Sequence, residues 1–257
     1  MKKNLYYRSV YKRTNVYRSF SVFIFSLVAS YPRLTLEVFI RRNMGERYFA
    51  FVRSLGWGIV LALIPLFLSG SLNPLGRAGY GSSFSFESYW SWYLFVLLYV
   101  LFCFIRKIEM QRNPSVFDFG RFSLSTGESL PLFYQVKIFG GTPDPRTVET
   151  ILEPLLFLVV GFVLTLFGQS VGWLILVCSI LYGLSYHGAY KLGDDYVMDK
   201  IDEQIANEET YKAFVEGKEP HLTRGMRFYG RRPVDPEKRR QVADSFIVDS
   251  EEVFEAS

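Results

Sequence analysis

The sequence predicts an all-α integral membrane protein with four transmembrane helices arranged as two helical hairpins. Apolar residues make up 49% of the chain and are gathered into long runs without charged side chains, as helices in a bilayer require. Lys-rich and Arg-rich segments alternate with poor ones, as they do on opposite sides of a membrane. An N-terminal interfacial helix and a cytoplasmic amphipathic helix after the last span complete the predicted fold.

Residues 1–53 form a basic segment that is predicted to be cytoplasmic and interfacial. A short apolar stretch, residues 20–31, follows a run of Lys and Arg. The stretch is too short to span a bilayer and carries a poor cleavage pattern, so the sequence favours an interfacial helix over a signal peptide. Its basic neighbours would meet anionic lipid headgroups. Arg41, Arg42 and Arg47 are expected at the headgroups, with a specific lipid or partner site as the alternative.

Residues 54–105 form the first predicted hairpin, with spans over 54–72 and 88–105. Pro65 lies inside the first span and leaves the carbonyl of Leu61 without its helical partner. A packed neighbour must therefore satisfy that carbonyl, because lipid offers no donor. The loop between the spans is rich in Gly and Ser. The second span begins with aromatic residues typical of a membrane interface: Trp90, Trp92 and Tyr93.

Residues 151–190 form the second predicted hairpin, with arms over 151–167 and 172–190. Residues 154–190 contain no charged side chain, and one helix of that length would measure about 55 Å. A hydrocarbon core of about 30 Å needs far less, so the Gly-rich middle is interpreted as a turn. Small residues four positions apart are expected to let the arms pack closely, or to join subunits: Gly161, Thr165, Ser179 and Gly183.

The distribution of Lys and Arg orients the spans. Eleven lie in residues 1–53, one in the loop 70–87, six in 106–153, none in the hairpin turn and eleven after residue 190. Because short cytoplasmic segments carry the excess of positive charge, both termini are predicted in the cytoplasm. The expected location is the plasma membrane, taken as a bacterial inner membrane.

The cytoplasmic loop, residues 106–150, is too aromatic for a free linker. It contains several Phe and Tyr residues among Gly, Ser and Pro, so we expect it to fold against the membrane surface or other cytoplasmic parts. Asp144 and Pro145 predict a helix start, with Asp as N-cap and Pro at the first helical position. This helix is expected to kink or break at Pro154.

The tail has two predicted parts. Residues 191–217 have apolar side chains at helical spacing among acidic ones, which predicts an amphipathic helix ending at Gly217. Residues 218–257 are polar and predicted to be partly disordered. Asp235 and Pro236 predict one more short helix within them.

The acidic cluster Asp194, Asp195 and Asp199 is the one arrangement that suggests catalysis. Carboxylates at a cytoplasmic helix end can hold magnesium for a diphosphate substrate. The spacing differs from the usual aspartate-rich motif, however, and no second such motif follows. A solvated helix face is the favoured interpretation, and we expect neither a catalytic site nor a cofactor nor a metal site.

The remaining reactive residue types are few. His187 is expected to be an interfacial packing residue, and His221 lacks obvious partners for a metal site. Cys103 and Cys178 lie in apolar runs and are expected to be buried thiols. No charged residue lies deep in a predicted span, which argues against a transporter.

The favoured function is a non-enzymatic membrane subunit that anchors or organises a larger assembly, such as a secretion, conjugation or envelope complex. Its loop and tail would contact protein partners, or a second copy of the chain, and no nucleic acid is expected. A small oligomeric transporter or channel is one alternative. A membrane-shaping hairpin protein is another, if the short second hairpin does not fully cross the bilayer.

Overall fold

The computed structural model describes residues 16–69, 89–114, 116–136, 141–219, 222–227 and 229–243. Within these ranges the chain consists of helices and connecting segments, without a β-strand, so the predicted all-α class is confirmed. Several predictions lie outside the described residues: those for the loop 70–87, for His221, for the basic residues before Val16 and for the chain end after residue 243.

Long helices carry the described fold: α1 (Val16–Ile40), α2 (Phe51–Leu68), α3 (Trp90–Arg112), α4 (Pro145–Leu166) and α5 (Ser170–Glu216). Short helical segments cover Val116–Asp118, Pro131–Gln135 and residues 236–243. The chain divides into two compact units, one formed by Ser19–Tyr190 and the other by Met1–Arg18 with Lys191–Ser257. The first unit contains α1 to α4 almost entirely and the first half of α5.

Two of these helices, α4 and α5, are long and apolar enough to cross a membrane. In their most apolar windows only 22% and 39% of the residues are buried, whereas a core helix of a soluble protein is mostly buried. α2 is also apolar but shorter, over Phe51–Phe67. The structure therefore supports helices of membrane-spanning character, and the arrangement with four spans stays a prediction.

α1 is longer than the apolar stretch from which it was predicted. The helix continues through Pro32 to Ile40, although residues 20–31 alone carry the apolar signal. The polar residues that follow Pro32 find partners inside the protein. Arg33 pairs with Glu37 one turn later at 2.7 Å, and Thr35 accepts a 2.8 Å hydrogen bond from Trp57 Nε1 of α2.

α2 and α3 pack together around the proline of α2. The indole Nε1 of Trp92 donates to the carbonyl of Leu61 at 2.8 Å, which is the carbonyl that Pro65 leaves without a helical donor. The prediction that a packed neighbour satisfies this group is confirmed. Leu61 and Trp92 belong to an apolar core that also contains Leu36 of α1 and Tyr182 of α5.

α4 begins at the predicted position but continues past the predicted break. Asp144 occupies the N-cap position with extended backbone, although its side chain makes no capping hydrogen bond. The helix widens to a π-helical turn over Val148–Leu152 and then continues through Pro154. A wider turn moves the proline ring away from the carbonyl four residues earlier, so the helix passes the proline without breaking.

The two predicted helix boundaries in the tail are confirmed. α5 ends at Gly217, whose φ of 69° is left-handed and suits glycine. The short helix 236–243 begins after Asp235, whose carboxylate Oδ1 accepts the Glu237 N–H at 3.0 Å. The apolar side chains Val197, Met198 and Ile201 of the amphipathic stretch are exposed, whereas Ala206 further along is buried.

The loop after α3 is held against the connection between α1 and α2. Arg42 and Glu128 exchange backbone hydrogen bonds of 3.1 and 2.7 Å, and Gly45 N–H donates to the carbonyl of Ser125 at 2.9 Å. A side chain at Gly127 would place its Cβ 2.5 Å from the Arg42 carbonyl oxygen, so the approach requires glycine. The prediction that this loop is not a free linker is confirmed.

Candidate functional site

The predicted helix-packing residues lie where α4 and α5 face each other. A side chain at Gly161 would place its Cβ 2.9 Å from Leu176 N and 3.1 Å from Gly172 O. Thr165 Oγ1 donates to the carbonyl of Gly161 at 2.8 Å. Gly172, which was predicted as the start of the second arm but not as a packing residue, is tighter than Gly161, because a Cβ there would overlap Thr165.

The other two predicted packing residues lie further along α5. Ser179 Oγ donates to the carbonyl of Pro154 at 2.5 Å. A Cβ at Gly183 would lie 3.3 Å from Pro154 Cγ and 3.3 Å from Thr150 O. The Ser179 hydroxyl therefore ties α5 to the α4 backbone just after the π-helical turn.

The residues singled out for possible chemistry do not form a site together. Asp194 and His187 are exposed on α5, while Asp195 and Asp199 are partly buried. Cys103 and Cys178 are buried free thiols, as expected. In the described ranges no group of three or more His, Cys, Asp and Glu side chains is arranged to hold a metal ion.

A different polar site lies inside the first unit, and we call it the Arg–Glu–Tyr cluster. It joins side chains from α1, the α1–α2 connection, α4 and α5. Its members are Arg33, Glu37, Arg41, Tyr48, Glu149, Glu153, Tyr182 and Tyr186.

The centre of the cluster is an ion pair without solvent access. Arg41 Nη2 lies 2.7 Å from Glu153 Oε2, and both side chains have 0% exposure. The Tyr182 hydroxyl donates to the same carboxylate oxygen and accepts from Arg41 Nε at 3.1 Å. Glu149, one turn before Glu153, adds a second carboxylate 3.2 Å from Arg41 Nη2.

The second half of the cluster surrounds Glu37. Its carboxylate accepts from Arg33 Nε at 2.7 Å, from the Tyr48 hydroxyl at 2.6 Å and from the Tyr186 hydroxyl at 2.5 Å. The Tyr186 ring also lies under both guanidinium groups, 3.8 Å from Arg33 Cζ and 4.3 Å from Arg41 Cζ. One aromatic ring therefore connects the two halves through cation–π contacts.

The surroundings of Arg41 and Tyr48 shift the pKa of each group. Burial alone would lower the pKa of the Arg41 guanidinium, but the tyrosines around it and the Glu153 carboxylate raise that pKa above its ordinary value. Burial and the neighbouring Glu37 carboxylate raise the pKa of the Tyr48 hydroxyl well above its ordinary value. Arg41 therefore stays charged and Tyr48 stays a neutral hydrogen-bond donor near neutral pH.

Two atoms at the centre have no hydrogen-bond partner among the described residues. They are Arg41 Nη1 and Glu153 Oε1, both on side chains with 0% exposure. Buried polar atoms are usually paired, and an unpaired one costs about 1–3 kcal/mol. The ion pair is therefore tightly held yet incompletely satisfied.

This cluster was not predicted from the sequence, and Arg41 was expected at the lipid headgroups. The placement is wrong, because Arg41 is fully buried against Glu153. A signal was available in the spacing, since side chains four residues apart share one helix face. Three helices carry complementary residues at that spacing: Arg33, Glu37 and Arg41; Glu149 and Glu153; Tyr182, Tyr186 and Tyr190.

Comparison of the chain with protein-family models, curated protein sequences and solved structures gives no match. The assignment of function therefore depends on the geometry of the molecule itself.

Proposed function

We propose that this chain is a non-enzymatic, multi-pass membrane subunit that anchors or organises a larger assembly. Helices α2 to α5 would be the four spans, with both termini in the cytoplasm of a bacterial inner membrane. The observation that carries the proposal is the combination of buried charged side chains and a broadly apolar exterior in the first unit. Glu37, Arg41, Arg106 and Glu153 are buried there, while many large apolar side chains on its helices are exposed.

The outward apolar surface is extensive on the helices concerned. Soluble proteins rarely expose contiguous apolar patches larger than a few hundred Å², whereas lipid solvates such a surface. Exposed large side chains on α3, α4 and α5 include Leu97, Leu101, Phe104, Leu155, Val159, Phe162, Trp173, Val177, Ile180 and Leu184. This pattern supports a lipid-facing exterior on more than one helix.

The geometry of the Arg–Glu–Tyr cluster favours a role in holding helices together over a role in transport. It connects α1 to α4 and α5 through Arg41, Glu153 and Tyr182. Among the described residues, neither member of its central ion pair has solvent access, which suits a fixed contact between helices. A subunit that anchors a larger assembly needs such fixed connections between its helices.

The loop after α3 offers a preformed surface for a protein partner. Phe119 is 99% exposed and holds a φ of 55°, which is unusual for a bulky residue. The neighbouring Arg121 fixes the loop through bonds to Glu46 Oε1 at 2.8 Å and to the Met110 carbonyl at 3.1 Å. Aromatic side chains, Phe among them, are enriched at protein interfaces relative to the rest of the surface.

Topology is tested by cysteine labelling in a background that lacks Cys103 and Cys178. Single cysteines replace Ser82, Ser125, Ser170 and Ser250, and an impermeant thiol reagent is added to intact cells. Positions 82 and 170 should react from outside, and 125 and 250 only after lysis. External reaction at 125 or 250 contradicts the proposed orientation.

The role as a subunit is tested by affinity purification in mild detergent. Phe117→Ser with Phe119→Ser should reduce co-purification of specific partner proteins. Val234→Ser removes an exposed apolar side chain from the tail and tests in parallel whether the tail also contributes to partner binding. If both variants and the parent purify alone, the chain is not a subunit of a stable assembly.

One observation favours a small oligomeric transporter as the second candidate. Arg41 Nη1 and Glu153 Oε1 are buried without a hydrogen-bond partner in the described ranges, and buried ionisable groups in membrane proteins often lie on ion or proton paths. Glu153→Gln distinguishes the two candidates. If the protein is a transporter, this variant loses transport while it remains folded. If the cluster only holds the helices together, the variant loses stability first.

A further inference from the structure

A groove lies between the start of α2 and the last turns of α3. Its volume is 540 Å³, and its wall is mainly apolar, formed by Phe49, Phe51, Val52 and Met110. Arg53 and Lys107 also line it. The groove shares no residue with the Arg–Glu–Tyr cluster, and its chemistry differs from that of the cluster.

The two cations of the groove are not neutralised by the protein. Within the described part of the chain, neither Arg53 nor Lys107 forms an ion pair, whereas Arg106 and Arg121 do. Glu46 also lines the groove, but Arg121 holds its carboxylate at 2.8 Å. The groove therefore combines an apolar wall with two available positive charges.

We propose that this groove binds an anionic glycerophospholipid, with the phosphate at Arg53 and Lys107 and an acyl chain along Phe51 and Val52. The inference rests on the proposed membrane insertion, which puts the start of α2 and the end of α3 at the cytoplasmic leaflet. Anionic lipids are concentrated there and attract basic side chains near the surface. Val52 is largely exposed, so lipid can reach the groove from the side.

Charge and shape together favour a lipid over other occupants. A free phosphate ion would use the cations but would leave the apolar wall in contact with water. A hydrophobic peptide would cover the wall but would leave two positive charges without counterions. A phospholipid supplies both an anionic head and an apolar chain in one molecule, and the groove offers a partner for each.

The experiment is native mass spectrometry of the delipidated, full-length chain in a neutral detergent. Phosphatidylglycerol, phosphatidylcholine and inorganic phosphate are added separately. The parent should retain phosphatidylglycerol in preference to phosphatidylcholine. Arg53→Gln with Lys107→Gln should lower that retention by about fivefold for each cation removed. The matched control, Arg231→Gln with Arg232→Gln, removes the same charge from exposed positions of the tail and should retain lipid like the parent.

Three outcomes overturn the lipid site. They are equal retention by the groove variant and the parent, equal loss in the tail control, and displacement of the lipid by inorganic phosphate. An unchanged melting temperature of the groove variant without lipid confirms that lost retention is not lost folding. Membrane fractionation of the same variants is read separately, because a chain that stays in the membrane while failing to select phosphatidylglycerol contradicts the lipid site alone.

Discussion

Two buried glutamates show how differently one chain uses the same ion-pair chemistry. Glu153 in the first unit has 0% side-chain exposure, and so does its partner Arg41. Glu209 in the second unit has 1% exposure, but its cations are open to water, with 37% for Lys212, 27% for Lys218 and 51% for Arg224. Both partners of the Arg41–Glu153 pair are shielded from water, whereas in the Glu209 group only the carboxylate is shielded.

The difference predicts different energetics. In a dry site, breaking one half of a pair leaves an uncompensated buried charge, at a cost of about 3–5 kcal/mol. Where the cations are solvated, water screens the attraction, and several cations share one carboxylate. We therefore expect the Arg41–Glu153 pair to contribute to the global free energy of unfolding, and the Glu209 group to contribute only to the local stability of the tail.

The largest effect is expected from Arg41→Met. Glu153 would remain buried without its cation, and the free energy of unfolding should fall by about 3–5 kcal/mol. Denaturation with SDS in detergent, followed by Trp fluorescence, measures it. Arg42→Met is the matched control, because the adjacent Arg42 is exposed, and it should change little.

Adding Glu153→Gln to Arg41→Met should recover most of the loss, since the double variant contains no unpaired charge. A double variant as unstable as the sum of the two single variants would show that the residues do not interact. In that case exclusion of water from the Arg41–Glu153 pair would not explain any difference in stability from the solvated Glu209 group.

Sequence reasoning reached the helices more readily than the cluster, for a physical reason. Helix signals are local: the Leu61 carbonyl freed by Pro65 and the helix end at Gly217 could both be inferred from neighbouring residues. The Arg41–Glu153 pair joins residues 112 positions apart, and its formation depends on how α1 crosses α4 and α5. Spacing could identify each polar face, but not which faces meet.

The next effect is expected from Tyr182→Phe. Its hydroxyl is hydrogen-bonded to both Arg41 and Glu153, and hydrogen bonds to charged groups contribute about 1.5–3 kcal/mol. Tyr190→Phe is the control, because the Tyr190 hydroxyl binds only the partly exposed Glu149, at 2.6 Å. Equal losses for the two variants would show that solvent access does not set the contribution of these tyrosines.

Gly161→Ala tests whether close packing of α4 against α5 is needed to keep water away from the Arg41–Glu153 pair. The new Cβ would lie 2.9 Å from Leu176 N, so α4 and α5 must separate, at a cost of about 1–3 kcal/mol from overpacking. Gly188→Ala in α5 meets nothing within 4 Å and should be neutral or stabilise the helix by up to about 1 kcal/mol. Unfolding of both variants in the same detergent measures the difference. If the Gly161→Ala protein is as stable as Gly188→Ala, then the stability of the Arg–Glu–Tyr cluster does not depend on close packing of α4 against α5 at Gly161.

The smallest effect is expected from the acid titration of Glu209. Burial alone would raise the pKa of this carboxyl, but the hydrogen bond from Arg224 and the nearby Lys218 and Lys212 hold it below its ordinary value of 4.5. A carboxyl with a depressed folded-state pKa stabilises the fold above the unfolded-state pKa and loses this contribution as the pH falls. Amide protection in residues 206–216 should therefore decline below pH 4.5, as measured by hydrogen exchange corrected for intrinsic rates.

Glu209→Gln isolates this titration from those of the other carboxyls. The variant should be less protected than the parent at neutral pH and should approach it at low pH, because Glu209 is then protonated in both folded and unfolded chains. Added salt should narrow the difference at neutral pH, since at 1 M the screening length is only about 3 Å. The loss caused by Arg41→Met should persist in the same salt, because ions cannot enter its dry site. If salt weakens both effects equally, then the Arg41–Glu153 pair is solvated, and the distinction between the two glutamates disappears.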